Sequence, residues 1–122
     1  MNLNAFPTQV LIDGYSCYWI SDNGLWMIGT WPVLYGVRAI AWHRDSVSRS
    51  ADYCAGSDAA FLAELLAVLR TIFSALPEST TEDEMTKLLP NWRQRPIDTD
   101  PCWPALQQLA ATLAATPEAT ND

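Results

Sequence analysis

The hydrophobic rhythm of this chain changes once, near residue 56, and that change limits the fold more than any other feature. Up to Cys54 the apolar and aromatic side chains recur in twos. In Tyr35–His43, Val37, Ala39 and Ala41 share one side while Arg38, Ile40 and Trp42 share the other, the alternation of a pleated strand. From Phe61 onward the period is helical: Phe61, Leu62, Leu65, Leu66, Val68, Leu69, Ile72, Phe73 and Leu76 form one broad face. Strands first and helices second predict an α+β domain, an antiparallel sheet carrying helices on one face.

Local punctuation divides the two halves. Tyr15–Ser21 and Leu25–Trp31 read as strands joined by a turn at Ser21–Gly24, where Asn and Gly tolerate positive φ. Tyr35–His43 and Val47–Cys54 follow, with a turn at Arg44–Ser46 between them, and Thr8–Asp13 is a candidate for a further short strand. Connections this short favour an antiparallel β-meander, here of about four strands. Pro32 cannot donate to a ladder and marks an edge, a bulge or a strand end. Ser57 or Asp58 caps a helix running to about Leu76 and stopped by Pro77. Its polar residues Glu64, Arg70, Thr71 and Ser74 occupy an arc of only roughly 120°. Such a wide apolar face calls for cover from the sheet and also from another helix or a second subunit. Thr81 and Glu84 form a capping box at the start of a short helix that Pro90 ends. An extended connector leads to Asp100, which caps a third helix with Pro101 at its first position. Trp103, Leu106, Leu109, Ala110 and Leu113 are the apolar stripe of that helix. The 122 residues make one domain, residues 1–122, with 1–7 and 116–122 expected to be flexible.

Charge narrows the function classes. The net charge is −7, of which residues 1–61 hold −2 and residues 62–122 hold −5. That balance argues against direct nucleic-acid binding, which draws its affinity from Lys and Arg, and against an anionic membrane surface. The longest uncharged run, Asn23–Val37, is too short and too broken by Gly and Pro to span a bilayer. Cys17, Cys54 and Cys102 are odd in number and show no C-x-x-C spacing. Free thiols in a reducing cytoplasm are the simplest reading.

Catalytic constellations are weak. Cys54 precedes a helix start, where a thiolate is favoured, and His43 could act as its base with Asp45, Asp52 or Asp98 orienting the ring. Cys54 nevertheless lies three or four residues before the cap, and buried free cysteine is common. A joint between strand and helix accounts for it, and no catalytic residue is assigned. A single histidine with scattered cysteines makes no zinc site. No glycine pattern cradles a phosphate and no motif calls for a cofactor.

Binding features are stronger. Six tryptophans are a surplus for this length, and tryptophan is enriched at the energetic centres of interfaces. Trp19, Trp26 and Trp42 fall on the strands and suggest an aromatic outer sheet face. Trp92, between Arg93 and Arg95 in a proline-bounded loop, has the composition of an interface anchor; its bland alternative tucks the ring onto the core and pairs the arginines with nearby acids. Glu78, Glu82, Asp83 and Glu84 form an acidic cluster, read either as a solvated helix start or as a docking surface. The sequence therefore points to a small acidic, non-catalytic interaction protein, an adaptor, accessory subunit or regulator. It would bind a protein partner through the aromatic sheet face and the Trp92 loop, and self-association as a homo-oligomer is also expected. Two other readings stay open: a small-molecule-binding domain or minor enzyme with a pocket near Cys54 and His43, and an acidic inhibitor that mimics nucleic acid.

Overall fold

A computed structural model describes residues 15–44, 49–77 and 79–115. Four strands, β1 (Ser16–Ile20), β2 (Trp26–Val33), β3 (Gly36–His43) and β4 (Arg49–Cys54), form one antiparallel sheet in the order β1-β2-β3-β4. Three α-helices follow: α1 (Ala59–Ala75), α2 (Glu82–Leu88) and α3 (Cys102–Ala115), with a single 3-10 turn at Ile97–Thr99 in the connector. The α+β meander expected from the change of rhythm is the fold. The candidate strand at Thr8–Asp13, most of the Arg44–Ser46 turn, the Val47 end of the last strand, Glu78 and the two chain ends lie outside the described residues.

The register explains why the turns fall where they do. The β2–β3 hairpin pairs Val33 with Gly36 and Pro32 with Val37. The described β1 ladder ends at the Ser16–Thr30 pair, so among the described residues Pro32 sits past it with β3 alone alongside, where its missing N–H costs no ladder bond. A bulge between Cys17 and Trp19 leaves Tyr18 unpaired and exposed. At the other side of the sheet, Val37 N–H donates to Gly56 O at 2.9 Å and Ala55 N–H to Val37 O at 2.8 Å. This brings the Gly36 and Gly56 backbones into contact, and a side-chain carbon on Gly36 would run into the Gly56 carbonyl.

One face of the sheet carries the helices. There Ala39, Ala41 and Ala51 present small side chains, and Leu65, Leu69, Ile72 and Phe73 of α1 pack onto that side. Small residues under large ones let the helix approach closely and fill the layer without voids. α3 lies against α1, and α2 runs beside β4. The second cover demanded by the wide apolar face of α1 is thus α3, within the same chain. Asp58 caps α1, its carboxylate accepting the N–H groups of Ala60 at 2.9 Å and Phe61 at 3.2 Å. Thr81 and Glu84 close the expected capping box.

The opposite face has an apolar centre, flanked by the Arg38–Asp52 ion pair. Met27, Ile40 and Trp42 are fully buried there, ringed by Tyr15, Cys17, Ile20 and Trp31. Tyr15 folds across Gly29, where a side-chain carbon would strike its ring, and meets Trp42 edge-on at 4.6 Å. The sheet is therefore buried on both sides at its centre.

Candidate functional site

The strand tryptophans do not assemble into one surface. Trp26 points to the helices and is 3% exposed, meeting Phe73 edge-on at 4.9 Å and His43 at 4.6 Å. Trp42 is buried on the other side of the sheet, under Tyr15. Trp19 is half-buried and packs toward the helices. Alternation along the strands accounts for this separation: Trp19 pairs with Ile28 on the helix side, while Trp42 pairs with Met27 on the far side. Neither Trp26 nor Trp42 has surface to offer, and an aromatic outer sheet face built on them does not exist in this fold.

Cys54 and His43 are also kept apart. Cys54 pairs with Arg38 at one end of β3, and His43 closes the other end. Arg38 and His43 are five strand steps apart, roughly 16 Å, and alternation puts Cys54, opposite Arg38, and His43 on opposite faces. Both are buried. Cys102 is buried as well; burial and the neighbouring Asp100 carboxylate push its thiol up to about 12, which keeps it protonated and unreactive at neutral pH. Among the described residues the three cysteines are free thiols, and no three His, Cys, Asp or Glu side chains converge to hold a metal ion. No helix among them is long and apolar enough to cross a membrane.

What the fold does bring together lies at the β2–β3 hairpin. The tip is the two-residue loop Leu34–Tyr35, and both side chains stand in solvent, Leu34 98% and Tyr35 66% exposed. Behind it Arg38 is the hub. Partial burial works against its charge, but the Tyr35 hydroxyl and the Asp52 carboxylate beside it more than offset this, and its pKa lies above the usual guanidinium value. The Arg38–Asp52 ion pair is 3.1 Å long. The Arg38 guanidinium also lies over the Trp92 ring, 5.0 Å from its centre, an attraction worth about 0.5–2 kcal/mol.

The Trp92 loop reaches this position because its connector is pinned at several points. Tyr53 donates its hydroxyl proton to Pro90 O at 3.0 Å, and the Trp92 indole N–H donates to Arg95 O. Asp100, buried, accepts the N–H groups of Cys102 at 2.9 Å and Arg93 at 3.2 Å, and Arg95 approaches it at 3.8 Å. The Cys102 N–H and then that of Arg93 hold its carboxyl below the ordinary value despite burial. The loop shows features of the bland reading, a ring supported by the core and an arginine turned toward an acid. The ring is half-buried and supported from below, and Arg95 turns toward an acid, yet Arg93 and Arg95 remain exposed at the rim.

The acidic residues sit elsewhere. Glu82 accepts the Ser50 hydroxyl at 3.4 Å, at the end of β4 opposite Cys54. Glu84 is engaged at the helix start, its carboxylate accepting Thr81 N–H at 2.9 Å. Asp83 is exposed. Sequence reasoning missed Leu34, Tyr35 and Arg38 as surface residues. The signal available was the tight loop between two strands, which must hold its central side chains outside the sheet. Comparison with protein-family models, curated proteins and solved structures found no match for the chain.

Proposed function

We propose that this chain is a small acidic, non-catalytic interaction protein that docks onto a protein partner through the hairpin end of its sheet. One observation carries the reading: Leu34 and Tyr35 are held out in water on a two-residue loop beside Arg38 and the supported Trp92 ring. Exposing large apolar side chains at a rigid tip costs solubility unless something covers them. Leu34 and Tyr35 act as the anchors. Trp92 and Arg38 are the floor, and tryptophan, tyrosine and arginine are the residue types that dominate interface energetics. The exposed Arg93 and Arg95 stand at the rim on an otherwise acidic chain, so the fitting partner offers an apolar pocket edged with acids. Glu82 and Asp83, at the other end of β4, influence approach rather than grip. Three free thiols suit work in a reducing compartment such as the cytoplasm.

The test compares wild type with a Leu34→Ser/Tyr35→Ser variant in affinity capture from lysate of the native host. Both side chains are solvent-exposed, so the variant keeps its melting temperature. A partner that wild type retains in high salt and the variant loses supports the reading. Equal capture by both moves the interface off the hairpin. A wild-type dimer that the variant converts to monomer makes the partner a second copy of the chain.

A further inference from the structure

β1 is an edge strand, and among the described residues no strand pairs with its outer side. An open edge is a template for another extended segment, and proteins cover or blunt it. At the opposite edge, β4 is flanked by α2 and by the connector that Tyr53 ties at Pro90. The small apolar layer is also thin along β1. Tyr15, Cys17, Ile20 and Trp31 ring the buried Met27, Ile40 and Trp42, and all four are only partly buried.

The register fixes which backbone groups this edge presents. Val37 N–H donates to Gly56 O and Val37 O accepts Ala55 N–H, so Val37 faces β4. Backbone direction alternates along a strand, so its neighbours Gly36 and Arg38 face β2. Their partners Val33 and Trp31 face β3 in return, which turns Thr30 toward β1. Ser16, opposite Thr30, therefore faces β2. Tyr15 and Cys17, on either side of Ser16, aim their N–H and C=O groups outward, where a fifth strand would lie.

The sequence immediately ahead of Tyr15 has the same phase. It reads Thr8-Gln9-Val10-Leu11-Ile12 and then Asp13-Gly14, and Asp-Gly is a preferred centre for a two-residue hairpin loop. The residues flanking such a loop exchange both ladder bonds, and so does every second pair beyond them. Those pairs are Ile12 with Tyr15 and Val10 with Cys17, so the turn requires the outward direction that the sheet already gives Tyr15 and Cys17. A loop shifted by one residue would have clashed with it. Paired residues also share a face, which assigns Val10 and Ile12 to the side of the thin apolar layer. We propose that the outer edge of β1 is a docking site for this chain's own Thr8–Ile12 segment, added antiparallel through an Asp13–Gly14 turn. The segment closes the open edge, and Val10 and Ile12 extend the small layer beside Cys17 and Tyr15. The proposal is independent of the hairpin-tip reading.

Cys17 supplies the test. Residues directly opposed on antiparallel strands lie within the Cα range of a disulfide. The full chain carrying Val10→Cys is treated with oxidised glutathione, and its disulfides are mapped by mass spectrometry. Leu11→Cys is the control, because alternation sends position 11 to the face away from Cys17. Val10→Cys should close a bond to Cys17 within one chain, and Leu11→Cys should not. In the unmodified chain, hydrogen exchange followed by NMR should show the Tyr15 and Cys17 amides exchanging as slowly as that of Ser16, a readout that needs no substitution. Equal crosslinking from positions 10 and 11, or fast exchange at Tyr15 and Cys17, overturns the proposal. A Val10→Cys bond that joins two chains also overturns it and gives the edge to a second copy.

Discussion

Tyr15 makes an exchange that only a folded chain can impose. Its ring covers Gly29 and Trp42, but its hydroxyl is buried with no hydrogen-bond partner among the described residues. Burial drives its pKa well above the ordinary tyrosine value, with a smaller contribution from Cys17. A buried donor without a partner costs about 1–3 kcal/mol. Tyr15→Phe keeps the ring and removes the orphan, so urea denaturation should show the variant to be more stable by about 1 kcal/mol. Equal or lower stability would mean that the hydroxyl is satisfied in solution. Trp92 is the contrasting case, its N–H engaged by Arg95 O and its face by Arg38. Only the spatial neighbours of each decide which one is supported and which one bears a cost.

At the scale of elements, the devices that act over a few residues were the ones legible in advance. Asp58 caps α1, Thr81 and Glu84 close α2 at its start, and the chain leaves α1 in an extended conformation at Leu76 just before Pro77. Each works through groups two to four residues away, so the local string specifies it. Asp58→Ala removes the acceptor for two otherwise unpaired N–H groups and should destabilise the protein by about 1 kcal/mol in thermal or chemical denaturation. Asp58→Asn, which keeps an acceptor oxygen, should recover most of that loss. The 3-10 turn at Ile97–Thr99 escaped notice because its stop, the Asp100 N–H on Ile97 O, is a single bond. The strand tryptophans were assigned to strands correctly, but Trp26 and Trp42 are buried instead of lying on a surface. Alternation tells which residues share a face and says nothing about whether that face is covered.

The molecule as a whole is a sheet with a large apolar layer on one side and a small one on the other. If the small layer is a true core, truncating it should hurt as much as truncating the large one. Ile40→Ala and Leu69→Ala, each at a fully buried position, should both cost about 2–5 kcal/mol in denaturant unfolding. A much smaller loss for Ile40→Ala would mean that the far side of the sheet opens to water in solution. The prediction that α1 needs cover on two sides was legible from its wheel; that α3 supplies it was not, because a helical wheel gives the direction of burial without the identity of the neighbour. With α3 in place, the wide apolar face of α1 is covered within the chain and no longer calls for a second copy. The contact between the Gly36 and Gly56 backbones has a consequence for ancestry. Surface residues can drift freely over evolutionary time, but a side chain at position 36 would part β3 from the turn that launches α1. Two glycines spaced as these are, one opening the third strand and one after the fourth, form a hallmark by which diverged kin can be sought when overall resemblance has faded.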